Sequence, residues 1–218
     1  MSVATRITEL QKIIPGEVKL VAVSKTHPAG MILEAYNAGQ RAFGESRPQE
    51  LAAKQKELPA DIEWHMIGHL QRNKVRKIIP FVSMIHSVDS GRLLETIDEE
   101  AARADRVVDI LFEVRIGLEA TKHGWTAEEL FYYLAGIEKS DYANVRFRGV
   151  MGIASNTTDE ARIRAEFTSL RVVFDTLKKN FFGPGFDTVS MGMTSDYKLA
   201  IECGSNLVRI GSLIFSER

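Results

Sequence analysis

The sequence predicts a (β/α)8 barrel. Three observations carry that expectation: eight short apolar runs, amphipathic segments between them, and no linker or composition break anywhere in 218 residues. The runs occupy 19–23, 41–45, 62–68, 82–88, 107–114, 145–153, 188–193 and 207–211. Several are near-continuous in Val, Ile, Leu, Met and Phe, as parallel strands buried on both faces require. An open doubly wound sheet would show the same alternation, and periodicity does not separate the two.

The helical segments follow in order. Pro28 suits the first turn of a helix running to Ala38, with Gly39 as its stop. Ser90 and Thr126 stand where side-chain caps are expected. Thr158 precedes Asp159 and Glu160, a cap followed by acids at the positive end of a helix dipole. Phe167, Leu170, Phe174 and Leu177 then recur at helical spacing and face a core. Phe181 to Gly185 reads as a packed loop leading into the seventh run. Thr194 or Ser195 caps a last helix over 196–203, closed by Gly204. The whole of 1–218 is expected to be one barrel domain.

Composition narrows the function classes. With 28 Lys+Arg against 29 Asp+Glu, the net charge of −1 supplies no electrostatic excess for nucleic acid or an acidic membrane. The 44% hydrophobic and 26% charged content excludes disordered and collagen-like chains. No stretch approaches the ~18 uninterrupted apolar residues of a membrane span. The N-terminal stretch has scattered charges and no continuous apolar core, unlike a signal peptide. A single cysteine, Cys203, forms no internal disulfide and reads as a buried small hydrophobe, which fits a reducing, cytoplasmic setting.

In a barrel, chemistry gathers at the C-terminal strand ends. Here those ends carry Lys25, Glu45-Ser46, Gly68-His69, Ser87 to Asp89, Arg115, Ala154 to Asn156, Ser190 to Thr194, and Arg209 to Ser212. Lys25 ends KLVAVSK and shares a strand face with Val21 and Val23 by the period of two. At a dry rim an amine has its charged form disfavoured and becomes a nucleophile for a carbonyl compound. A strand-end lysine also snorkels to solvent. The segments SMGMTSD (190–196) and RIGS (209–212) fall where barrels hold phosphate. Ser190, Gly192, Thr194 and Ser195 precede a helix, while Gly211 and Ser212 supply close backbone approach and a hydroxyl; ordinary turns use the same small residues. Lysine and cup together describe a phosphorylated aldehyde held at both ends. Arg209, facing inward, is placed either to donate to a ring nitrogen or to form a barrel salt bridge.

Other residues were weighed. His65 and His69 are spaced i, i+4, but Gly68 and the strand reading oppose a helical metal pair and no Cys or acidic ligand completes a set, so no metal is expected. His27 reads as a residue leading into the helix after Pro28. Tyr132, Tyr133 and Tyr197 read as packing or surface residues. Lys122 in TKHGW is a loop lysine that is either solvated or a secondary cofactor anchor.

The segments VAVSKTHP (21–28), FGES (43–46), WHMIGHLQRNK (64–74), HSVDS (86–90), RGVMGIA (148–154) and the stretch 190–212 resemble, in order, the YggS/PROSC family of pyridoxal-phosphate homeostasis proteins. The resemblance implies a barrel like the N-terminal domain of alanine racemases, with pyridoxal 5'-phosphate held as a Schiff base on Lys25. It places the phosphate on Ser190, the turn of Gly192, Met193, Thr194 and Ser195, Gly211 and Ser212, and sets Arg209 against the pyridine nitrogen. Ser46, His69, Ser87 and Met151 would wall the ring. There are departures: the family usually shows FGEN and an aromatic where this chain has Ser46-Arg47-Pro48, and Thr194 and Ser212 exchange serine and threonine while keeping a hydroxyl. The sequence ends six residues after Ser212, leaving no room for the second β domain of racemases. The resemblance therefore implies a cofactor carrier, expected to be monomeric, that hands pyridoxal phosphate to apo-enzymes, with no catalytic residue assigned. The alternatives are a weak racemase or another Schiff-base enzyme. A pure protein-interaction module would need a large exposed apolar surface.

Overall fold

The computed structural model describes residues 1–117 and 123–215. Its eight strands are β1 (Lys19–Val23), β2 (Ala42–Glu45), β3 (Glu63–Met66), β4 (Val82–Val88), β5 (Val108–Glu113), β6 (Val145–Met151), β7 (Thr188–Ser190) and β8 (Leu207–Ile210). They form a closed barrel in chain order, every neighbouring pair parallel. The pairing of β8 with β1, from Lys19 opposite Leu207 to Ala22 opposite Ile210, closes the ring and removes the open-sheet alternative. Each run yields one strand, but several stop early. β7 ends at Ser190 because Gly192, two residues on, takes a φ of +95° that no strand accommodates.

The helices are α1 (Val3–Ile13), α2 (Ala29–Asn37), α3 (Pro48–Glu57), α4 (Gly91–Arg103), α5 (Ala127–Ala135), α6 (Glu160–Leu177), α7 (Tyr197–Glu202) and α8 (Ser212–Phe215), with a 3-10 segment over Arg72–Lys77 between β3 and β4. Gly39 ends the α2 region at φ +98°, and Ser90 caps α4 by accepting from the Leu93 N–H. Thr126 and Glu129 form a reciprocal capping box on α5. Two expected caps are corrected. Asp159, not Thr158, caps α6 by accepting from the Arg162 N–H, because its carboxylate sits one residue nearer the first turn. Neither Thr194 nor Ser195 caps α7; Asp196 holds that position and its Oδ1 accepts from the Met193 N–H at 2.6 Å.

Two apolar layers follow from the strand period. Alternate residues such as Leu20, Ala22, Val208 and Ile210 face the helices within one large buried cluster. Their neighbours Val21, Ala42, Met84, Leu111, Met151 and Leu207 form a separate cluster inside the ring. Cys203 is half-buried rather than buried, and His27 stacks on Phe215 at 5.1 Å. Among the described residues no helix is long and apolar enough to cross a membrane.

The tightest approach in the wall is at Gly149, where a Cβ would sit 1.7 Å from the Thr188 carbonyl oxygen. Gly149→Ala is expected to force β6 and β7 apart and cost about 3 kcal/mol or more. A urea unfolding midpoint equal to wild type would show that the wall yields without cost.

Candidate functional site

Lys25 stands two residues beyond β1, and its neighbours are anchored by a buried polar cluster. Ser24 Oγ donates to Glu45 Oε1 at 2.6 Å, and Lys54 Nζ donates to the Ser24 carbonyl, Glu45 Oε1 and Glu50 Oε1, each at 2.7 Å. Glu50 Oε1 also accepts the Thr26 N–H at 2.5 Å, and Thr26 is held at φ +68°. The backbone on both sides of Lys25 is thus pinned by side chains from β2 and α3. Burial raises the Glu45 carboxyl against the opposing pull of Lys54 and Ser24. For Glu50, burial is outweighed by Lys54 and the Thr26 N–H, which lower it. The strand period holds as far as Ser24, which faces outward onto Glu45. Lys25 itself is exposed, so the expected dry rim does not extend to its amine: it lies past the last strand residue, where solvent reaches it.

Beside it, across the β8–β1 seam, lie the two small-residue segments. A Cβ on Gly192 would meet Ala200 Cβ at 2.5 Å, so the left-handed turn and the approach of α7 both require glycine. The Gly192 carbonyl accepts the Arg209 N–H at 3.0 Å, and Thr194 Oγ1 accepts the Gly211 N–H at 3.4 Å, which ties the segments together. A Cβ on Gly211 would lie 3.2 Å from the Val23 carbonyl, so the end of β8 abuts the end of β1. The Met193 amide is spent within the turn on Asp196. Ser195 and Ser212 are exposed, and their hydroxyls have no partner among the described residues.

Ser190 lies apart from that cup. It is fully buried, and its Oγ accepts from Arg209 Nη1 at 2.6 Å and meets His86 Nδ1 at 3.0 Å. Arg209 Nη1 also donates to the Ser190 carbonyl at 2.9 Å, and Nη2 to the Gly152 carbonyl at 3.2 Å. Arg209 makes no ion pair among the described residues, so it is not a salt-bridged barrel arginine. Burial lowers it to about 10, which leaves it charged at neutral pH. Of the five N–H bonds a guanidinium carries, two remain unspent.

The remaining expected wall residues are placed as follows. A Cβ on Gly68 would lie 2.5 Å from the Ser46 carbonyl oxygen, so the loops after β2 and β3 touch through backbone. Ser87 is buried and its Oγ donates to the Gly68 carbonyl at 2.6 Å; Met151 is buried in the inner cluster. His69 is exposed, 3.1 Å from Asp89, and stacks on His123 at 3.9 Å and 14°. Ligand atoms of His69, Asp89 and His123 lie within 4.8 Å of one another, a grouping unread in the sequence. Lys122 lies outside the described residues.

Glu113 was also missed, although it follows Leu111 on the inner face by the strand period. Burial, with the Asp89 carboxylate adding, pushes its carboxyl up to about 7. Among the described residues its Oε2 has no partner, and it lines a hollow of about 260 Å³ with His69, Arg115 and His123.

Residues 2–218 match the family described as alanine racemase, N-terminal domain. A Vibrio alginolyticus protein named pyridoxal phosphate homeostasis protein is 38% identical over 209 residues, 94% of this chain and 88% of that protein. The chain belongs to the pyridoxal phosphate homeostasis protein family. Within the family, PipY of Synechococcus elongatus PCC7942 is 38% identical over 98% of this chain and 100% of that one, with TM-scores of 0.93 to its structure without PLP and 0.89 to that with PLP bound. An alanine racemase from E. faecalis, 13% identical with a TM-score of 0.77, covers 99% of this chain and 58% of that one, and shares the barrel fold.

Glu113 generates a stability prediction. Its folded pKa of about 7 lies above its unfolded value, so the folded state binds more protons between them and stability falls as pH rises through that window. Urea titrations from about pH 5 to about pH 8 should show Glu113→Gln gaining on wild type as pH rises. A constant difference would contradict the shift.

Proposed function

We propose that this chain binds pyridoxal 5'-phosphate at the β8–β1 seam and serves as an intracellular carrier that holds the cofactor and releases it to apo-enzymes. The observation that carries the reading is the contact of the Gly211 end of β8 with Val23, which brings a solvent-accessible lysine and a small-residue cup to adjoining strand ends. The residues fit the group. When bound, the cofactor supplies an aldehyde that condenses with an amine, a ring nitrogen that accepts a hydrogen bond, and a dianionic phosphate. Lys25 is the amine, held at fixed height by the Ser24 and Thr26 anchors. Gly192, Thr194, Ser195, Gly211 and Ser212 hold the phosphate, with glycines admitting close approach and Ser195 and Ser212 donating unspent hydroxyls. Met193 shapes the turn rather than contributing its amide. Arg209 offers its unspent N–H bonds to the ring nitrogen, and Ser190 serves Arg209 rather than the phosphate. Met151 lies in the inner cluster, Ser46 follows β2 next to the end of β1 and its Lys25, and His69 and Ser87 follow β3 and β4 beyond it.

A charged arginine at the ring nitrogen disfavours ring protonation, which withholds the electron sink that most reactions of this cofactor require. The tyrosines add no acid or base: Tyr133 shares its hydroxyl with Tyr142 at 2.7 Å, Tyr197 is buried in α7, and Tyr132 is 86% exposed. The reading extends to a single-domain, monomeric, cytoplasmic protein.

Borohydride treatment of cofactor-loaded protein should attach one pyridoxyl group to the peptide containing Lys25. Lys25→Ala should abolish the adduct and the visible absorption band, and loaded wild type should activate an apo-enzyme. An adduct on another lysine, or an unchanged band in Lys25→Ala, overturns the reading.

A further inference from the structure

The barrel interior holds a line of polar side chains that cofactor binding alone does not explain. From the floor upward it runs Glu63, His65, His86, Ser190, Arg209, from β3, β4, β7 and β8. His65 Nδ1 lies 2.8 Å from His86 Nε2, His86 Nδ1 lies 3.0 Å from Ser190 Oγ, and Ser190 Oγ lies 2.6 Å from Arg209 Nη1. His65, His86, Ser190 and Arg209 are all at most 4% exposed. At the lower end His65 Nε2 faces Glu63 Oε2 at 3.9 Å, and Glu63 pairs with Lys19.

The charges at the two ends orient every proton between them. The neighbouring His65 ring and the Lys19 ammonium hold the Glu63 carboxyl down to about 2, so it is ionised. At 3.9 Å it makes no hydrogen bond to His65 Nε2, which has no hydrogen-bond partner among the described residues, and it acts there through its charge. A carboxylate facing Nε2 repels a lone pair and attracts an N–H, so the His65 proton sits on Nε2 and its Nδ1 accepts. Burial lowers both imidazoles and keeps them neutral, so each carries one proton. His86 must then donate from Nε2 and accept at Nδ1, and the Ser190 hydroxyl donates its proton to that Nδ1. Both lone pairs of Ser190 Oγ are left for Arg209. Reversing the chain would place the His65 lone pair against Glu63.

Resting on the proposed cofactor site, we infer that His65 and His86 are positioning residues: a hydrogen-bond chain that starts at His65, with its direction set by the charge of Glu63, keeps both lone pairs of Ser190 Oγ free for Arg209 and so holds the guanidinium in register with the cofactor ring nitrogen. The chain assigns the buried histidine pair a role at a site that neither residue touches. Buried polar groups left half-satisfied are costly, so the chain acts as a unit.

Two measurements test it. In the cofactor-free protein, nitrogen NMR of the imidazoles should show His65 and His86 neutral with protons on Nε2; an Nδ1–H form at either overturns the chain, whatever the cofactor does. In the loaded protein, His86→Leu should shift the absorption band of the bound cofactor and weaken its binding about tenfold, about 1.4 kcal/mol. His86→Gln, whose amide oxygen and N–H match the spacing of Nδ1 and Nε2–H, should restore both. Ser190→Ala, a smaller deletion, should reproduce the shift if His86→Leu does not fold. An unshifted band and affinity in His86→Leu or Ser190→Ala overturns the positioning role. Wild type that takes up no cofactor sinks the site reading, and the ring-facing role with it, while the tautomers still judge the chain.

Discussion

The pairing of β8 with β1 is the constraint on which the rest depends. It closes the sheet, sets Arg209 beside Val21 in the inner row and presses Gly211 against Val23. Closure removes the exposed sheet edges, and the same register puts the lysine at the end of β1 next to the small residues after β8. A slip of one residue would turn Arg209 to the helix side and Val208 inward. Ser205 ties the neighbouring β7–β8 pair: its buried hydroxyl lies 2.7 to 3.2 Å from the carbonyls of Met191, Leu207 and Val189.

The second theme is where charge is buried. Buried charge gathers in three places among the described residues: Glu45–Lys54–Glu50 beneath Lys25, the line ending at Arg209, and Glu166 with Ser155 and Arg162. In the first, one lysine serves two carboxylates, and loss of Lys54 would leave the buried Glu45 without its counter-charge, typically worth about 3–5 kcal/mol. In the second, Arg209 is met only by carbonyls and a hydroxyl. That choice leaves the guanidinium with donors to spare, the Glu113 and Asp196 carboxylates acting on it only through their charge. In the proposed complex a positive donor facing the ring nitrogen favours an unprotonated ring over a deep carbanion sink, which weakens carbanion chemistry without forbidding it.

The strands were legible because parallel, doubly buried strands write themselves as continuous apolar runs. The inner or outer parity of Val21, Leu207 and Arg209 follows from the same period. Gly192 was legible because a left-handed turn pressed against a helix admits only glycine. What escaped depends on partners distant in the chain. Ser190 reads like a member of the serine-rich turn, yet it is still in β7 and faces His86, 104 residues away. Lys54 and Glu50 went unread, and only the fold shows them bonded to Ser24 and Thr26. The α6 cap was misplaced by one residue because Thr158 and Asp159 are both good caps. Helix α1 went unread although Ser2 caps it and Val3, Ile7 and Leu10 face the core.

The most direct test of the central claim is a crystal structure of the protein grown with pyridoxal 5'-phosphate. The account requires continuous density from Lys25 Nζ to the cofactor, with the phosphate between the 192–195 turn and Gly211–Ser212, and the ring nitrogen facing Arg209. Phosphate density elsewhere on the barrel, or a cofactor unattached to Lys25, would contradict it.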